Sequence, residues 1–135
     1  MKAVLKFDGG SRGNPGPSAC AYLIECDGKI LIDGDSLGNA TNNYAEWMGL
    51  VNGLKTLMRR VDPDKTDLEI FADSELVVKQ ITGEYKTKNA NLAPLRMMAM
   101  RILSDFKSYK ISHVKREFNK ECDTKVNEIL NHLKQ

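Results

Sequence analysis

The sequence predicts an α/β fold: a five-stranded mixed sheet, made of a three-stranded antiparallel meander plus two parallel strands, with helices on both faces. Three observations carry this. Three short apolar runs open the chain, "AVLKF", "ACAYLIEC" and "KILIDGDSLG", separated by Gly/Pro-rich or Asp-Gly punctuation. Two later apolar runs, "LEIFAD" and "YKISHV", are each reached through segments of helical periodicity. A last amphipathic segment closes the chain, giving the order β-β-β-α-β-α-α-β-α.

Each element has a local cause. Asp27-Gly28 is a two-residue hairpin signal joining the second and third strands. In "TNNYAEWMGLVNGLKTLMRR", Trp47, Val51, Leu54 and Met58 recur at helical spacing, Thr41 or Asn42 is the N-cap, and Arg59-Arg60 suits the C-terminal end. After "LEIFAD", "SELVVKQITG" reads as a short helix stopped by Gly83. "NANLAPLRMMAMRILSDFK" puts Leu95, Ala99, Ile102 and Phe106 on one face, with the methionines beside them as core filler. "NKECDTKVNEILNHLK" is a terminal helix built on Val126, Ile129, Leu130 and Leu133.

Composition bounds the rest. The 135 residues, 41% hydrophobic and 28% charged, suit one domain over residues 1–135. No apolar run approaches the roughly 18 residues of a membrane span, so no membrane partner is expected. "MKAVLKFDGG" has no leader-like apolar stretch, which makes the cytoplasm the expected location and a monomer the simple expectation. Cys20, Cys26 and Cys122 contain no C-x-x-C pair and read as buried reduced thiols. The formal charge is +2. Its distribution is uneven, with nine Lys/Arg against two acids from Leu76 to Arg116, and six acids against Lys65 alone from Asp62 to Glu75.

Four carboxylates occupy positions that apolar residues would ordinarily fill. Asp8 and Asp73 each end an apolar strand, and ligands of open α/β sheets collect at the carboxyl ends of strands. If those strands are neighbours, about 4.8 Å apart, the two acids can converge. Glu46 begins a helical stripe continued by Leu50, Leu54 and Leu57, and Asp123 stands in line with Val126, Leu130 and Leu133. Acids so gathered repel one another unless a cation compensates. No His or Cys lies near them at ligand spacing, so oxygen-loving Mg²⁺, with Mn²⁺ as a substitute, is favoured over zinc. Two such ions, about 3.5–4 Å apart, are the known device for in-line attack on a phosphodiester.

The glycine-rich "GGSRGNPGP" lacks both the G-x-x-x-x-G-K-[ST] and the G-x-G-x-x-G spacing, and a strand follows it, which excludes a nucleotide cradle. Its glycines instead suit close approach of main chain to a bulky polymer. Taken together, "FDGGSRGNPGPSACAYLI", "TNNYAEWMGL", "IFADSELVVKQITGEYKTKN" and "NKECD" resemble the type 1 class of ribonuclease H, the ribonuclease HI family, over nearly the whole chain and in the family's order. The resemblance implies a ribonuclease H-like fold and an endonuclease that cleaves the RNA strand of RNA/DNA hybrids with two Mg²⁺ ions, leaving 5′-phosphate and 3′-hydroxyl ends. It implies Asp8, Glu46, Asp73 and Asp123 as catalytic metal ligands, with Glu46 also touching a 2′-hydroxyl. Asn14 and Asn43 fall where members contact the minor-groove edge, and Thr41 and Asn42 where they contact the DNA strand. Gly9 and Gly10 let main chain graze the groove, which in such a duplex is wide and displays the 2′-hydroxyls.

Two departures from the family pattern stand out. "KREFNKEC" lacks the loop histidine that many members carry, leaving Arg116, Glu117 or Lys120 as substitutes, while His113 reads as structural. No tryptophan-rich basic protrusion precedes the last strand, so the grip on the hybrid falls to Lys79, Lys86, Lys88 and Arg96, with Tyr85 either along the DNA path or packed. Two alternatives accompany this reading: the same fold acting on duplex RNA or junction DNA, and a non-catalytic nucleic-acid-binding module.

Overall fold

The computed structural model describes residues 1–133. Its elements are β1 (Lys2–Ser11), β2 (Gly16–Cys26), β3 (Lys29–Ala40), α1 (Asn42–Met58), β4 (Asp67–Ala72), α2 (Glu75–Thr82), α3 (Ala93–Ser104), β5 (Ser108–His113) and α4 (Lys120–His132). The order is the expected one, with two short 3₁₀ turns added at Pro63–Lys65 and Arg116–Asn119. The sheet order is β3-β2-β1-β4-β5. β1–β2 and β2–β3 are antiparallel, and β1–β4 and β4–β5 are parallel.

The local signals account for the boundaries. Asp27 and Gly28 both have positive φ, 52° and 70°, the geometry that a two-residue hairpin requires. Thr41 caps α1 by accepting from the Tyr44 amide at 3.2 Å. Ser74 caps α2 through the Val77 amide at 3.2 Å, and Gly83, at φ 83°, ends that helix in the left-handed region.

Alternation along the strands divides the core in two. One face of the sheet, with Leu5, Phe7, Tyr22, Ile24 and Ile70, packs against α1, α2 and α3 through Trp47, Leu54, Val77, Ile81, Leu103 and Phe106. The other face, with Ala19, Ala21 and Leu23, packs against α4 through Cys122, Val126 and Leu130. Trp47 is fully buried, and its indole N–H donates to the buried Gln80 Oε1 at 2.8 Å.

Four expectations need correction. Asp8 does not end β1, because the strand runs on to Ser11 along β2 after its pairing with β4 stops at Phe7. Met97 is 72% exposed and Met98 39%, so only Met100 among the three methionines of α3 packs on the core; the stripe that buries the helix turns away from the other two. Leu133 caps α4 and is half exposed, lying past the sheet that covers Val126 and Leu130. Cys20 and Cys122 are buried, but Cys26, at the hairpin end of β2, is only partly so.

Candidate active site

Strand alternation builds the site. Asp8 pairs with Ala21, whose side chain packs on the α4 face, so Asp8 points to the same side of the sheet. Gly9, the next residue, then faces α1. A Cβ there would stand 2.1 Å from the Ala45 carbonyl carbon, and one on Gly49 would stand 2.6 Å from the Asp8 carbonyl oxygen. Bare backbone at both positions lets α1 settle on the end of β1, bringing Glu46, in the second turn of the helix, beside Asp8. β4 lies next to β1 with Phe7 opposite Ala72, so Asp73 follows Ala72 just as Asp8 follows Phe7. Asp123 arrives in the first turn of α4.

All four predicted acids line one cleft of about 380 Å³ together with Gly9, Gly10, Ser11, Arg12, Asn42 and Arg116. Asp8 is buried, and its carboxyl is pushed up to about 7, chiefly by burial, then by Asp73, with Asp123 and Glu46 adding to the rise and the Gly9 amide opposing it. Burial raises Glu46 too, Asp73 adds to this, and a Ser74 hydrogen bond offsets part of it. Asp73 is raised by burial, against the nearby Arg116 guanidinium and an Asn119 hydrogen bond. Among the described residues no three Asp, Glu, His or Cys side chains close tightly enough to enclose an ion by themselves. The cleft is thus an open set of hard oxygen donors without nitrogen or sulfur ligands. That fits Mg²⁺, which keeps waters and substrate oxygens in its shell.

The other predicted residues separate into two groups. Asn14 Oδ1 accepts from the Asn42 amide at 3.0 Å, and Asn42 Oδ1 accepts from the Ser11 amide at 2.7 Å. These two asparagines, with the cap residue Thr41, join the β1–β2 hairpin to the start of α1 beside the cleft, and Asn43 is exposed next to them. Lys86 and Lys88 lie apart, exposed on the segment after α2. There Lys86 shares a second groove with Tyr85 and Arg96. Lys79 binds Glu75 at 2.7 Å and lies over the Tyr85 ring, and Arg96 Nε donates to the Gln80 carbonyl at 2.7 Å. His113 ends β5 outside the acid cleft.

Three contributors escape a reading of the sequence. Arg12 lines the cleft and ties the hairpin to α4 through Asn131 Oδ1 at 2.6 Å. Ser74 serves α2 and Glu46 at once. Asn119 is buried, and its side-chain amide donates to the Phe7 carbonyl at 2.6 Å, anchoring the start of α4 to β1. All three lie inside the family-like stretches, Arg12 in "FDGGSRGNPGPSACAYLI", Ser74 in "IFADSELVVKQITGEYKTKN" and Asn119 in "NKECD", but no spacing marks their contacts.

Comparison with known proteins agrees with this fold. A family model described as reverse transcriptase-like matches residues 6–129. A ribonuclease HI of Halobacterium salinarum is 41% identical over 126 residues, covering 92% of this chain and 62% of that protein. The crystal structure of RNase H1 from the same archaeon superposes with a TM-score of 0.89 at 37% identity, covering 98% of this chain and 99% of that one.

The chain belongs to the type 1 ribonuclease H family. A second ribonuclease H, LC11-RNase H1, was crystallised in complex with an RNA/DNA hybrid. It superposes with a TM-score of 0.85 at 32% identity over 93% of this chain and 94% of that one. A bifunctional protein of Mycobacterium tuberculosis, whose N-terminal domain has been solved as an RNase H domain, is 34% identical over 133 residues, and this chain spans 36% of its length. The chain thus spans less than two thirds of the length of these curated relatives.

Proposed function

We propose that the chain is an endoribonuclease that hydrolyses the RNA strand of RNA/DNA hybrids, leaving 5′-phosphate and 3′-hydroxyl ends. The observation that carries this is the acid cleft, where Asp8, Glu46, Asp73 and Asp123 converge from β1, α1, the end of β4 and α4. The hybrid bound by LC11-RNase H1 supports the choice of substrate. Asp8, Glu46, Asp73 and Asp123 would hold two Mg²⁺ ions, or Mn²⁺ in their place, and such a pair would supply an activated water and stabilisation of the leaving oxygen in an in-line displacement.

The chain's own residues do the remaining work. Burial of Asp8 and its acidic neighbours makes the cleft strongly attractive to divalent charge, while the backbone contact at Gly9 holds Asp8 and Glu46 in register. Gly9, Gly10, Asn14 and Asn43 present main-chain and amide groups to the minor groove, where the 2′-hydroxyl tells RNA from DNA, and Asn42 lies on the DNA side. Thr41 stands at the DNA strand. Lys86 and Lys88 attract phosphates at a distance from the chemistry. Every acid comes from one copy of the chain, so a monomer suffices.

The test is a cleavage assay on labelled RNA/DNA hybrid, duplex RNA and duplex DNA, each with Mg²⁺, with Mn²⁺ and with chelator. Metal-dependent cutting of the RNA strand of the hybrid is expected. Cutting that survives chelation, or that prefers either duplex, would refute the proposal.

A further inference from the structure

Arg116 stands at the mouth of the acid cleft, with Nη2 3.1 Å from Asp123 Oδ1. Its side chain is 77% exposed and that of Asp123 32%, so the pair lies at the edge of solvent. Arg12, the other cation lining the cleft, is committed to Asn131. Among the described residues, Arg116 is therefore the cation that pairs with an acid of the cluster. Its backbone is pinned on both sides: before it the Val114 amide donates to the Ala72 carbonyl at 2.8 Å, and after it Asn119 is tied to the Phe7 carbonyl. The turn is thus anchored, whereas the guanidinium arm itself is 77% exposed.

We propose that Arg116 is a built-in counter-cation, which neutralises Asp123 while the cleft holds no metal and gives up that carboxylate to an incoming divalent ion. Arginine and metal then compete for one ligand. The inference rests on the metal-dependent reading above. Exposed ion pairs are weak, so displacing the guanidinium is cheap, and the competition shifts metal affinity by a small factor rather than by orders of magnitude.

The experiment is calorimetric titration of Mn²⁺ into the metal-free protein, without nucleic acid. Arg116→Ala and Arg116→Gln are expected to bind Mn²⁺ roughly two- to five-fold tighter than the native chain, the range that an exposed pair spans. The rise in melting temperature on adding Mn²⁺ should be larger in both. Lys120→Ala removes the same charge from a residue that lines a separate groove with Ile32 and Thr124 rather than the acid cleft, and should gain less. In an Asp123→Asn background the Arg116→Ala change should bring no gain. Equal affinity of native and Arg116 variants overturns the proposal, as does a gain matched by Lys120→Ala or one persisting without Asp123. If the native chain takes up no Mn²⁺, the metal reading falls and this inference with it. If the native chain binds and the Arg116 variants match it, only this inference falls.

Discussion

A β-carbon on Gly9 would stand 2.4 Å from the backbone nitrogen of Glu46, so the strand carrying Asp8 and the helix carrying Glu46 meet through bare main chain. Backbone cannot yield there as a flexible side chain can. Gly9→Ala should therefore push α1 off β1, destabilising the fold by about 2 kcal/mol or more. Cleavage should fall at least about tenfold, since the two acids separate. Urea denaturation and hybrid cleavage check this; an alanine variant of native stability would show that the helix moves freely.

Asp8 titrates at about 7 in the fold, against 3.8 for an unperturbed aspartate. As pH rises through this interval the unfolded chain gives up its proton first, so the folded state binds more protons and loses stability between about pH 4 and 7. A rise of this size corresponds to about 4 kcal/mol at most. Metal-free Asp8→Asn should consequently be more stable than the native chain at about pH 7.5, with the advantage fading towards about pH 4. Denaturant midpoints across that range test it, and an asparagine variant less stable at neutral pH would contradict it.

The same carboxylates are indispensable to the proposed chemistry. Asp8→Asn and Asp73→Asn should still bind hybrid but cleave it at most about a thousandth as fast, because each removes a ligand of the reacting centre. Binding by electrophoretic shift and cleavage by gel assay separate the two effects.

Lys86 and Lys88 are exposed and remote from the acid cleft. Replacing both by alanine should weaken hybrid binding and lower the slope of log affinity against log salt by about one for each phosphate that no longer meets a lysine. Cleavage at saturating substrate should hardly change. An unaltered salt slope would remove these lysines from the interface.

Gln80 accepts from the buried Trp47 indole through its side chain and from Arg96 through its carbonyl. Gln80→Leu keeps the carbonyl but strands the indole N–H, which should lower stability by about 1–3 kcal/mol. Trp47 is the chain's single tryptophan, so its fluorescence reports the change directly.

The element order was legible because local chemistry marks its boundaries: Asp27-Gly28 at the hairpin, Thr41 at a helix start, Gly83 at a helix stop. Glu46 and Asp123 were legible as charges on apolar helical stripes, and Asp8 and Asp73 as charges following apolar strand runs, although β1 runs on past Asp8. What sequence could not show depends on contacts between distant segments. The opening glycines read as room for a polymer, yet Gly9 is required by α1 and Gly16 by the Arg12 carbonyl, 2.1 Å from any Cβ placed there. The pairing of Asn14 with Asn42, and of Arg116 with Asp123, joins residues whose spacing carries no period. Met97 looked internal because it stands beside the Leu95, Ala99 and Ile102 stripe, and only the turn of α3 against α1 exposes it.

The two faces of the sheet are unequally insulated. α1 rests on a deep layer holding Trp47, Phe7 and Leu54, whereas α4 is sealed by a smaller cluster built on Ala19, Ala21, Leu23, Cys122, Val126 and Leu130. Amide protons of α4 should accordingly exchange with deuterium sooner than those of α1, since a thin apolar seam opens at lower cost than the global transition. An excursion that also broke the Asn119 tie to β1 would lift Asp123 away while Asp8, Glu46 and Asp73 stay seated, making the fourth acid a detachable one.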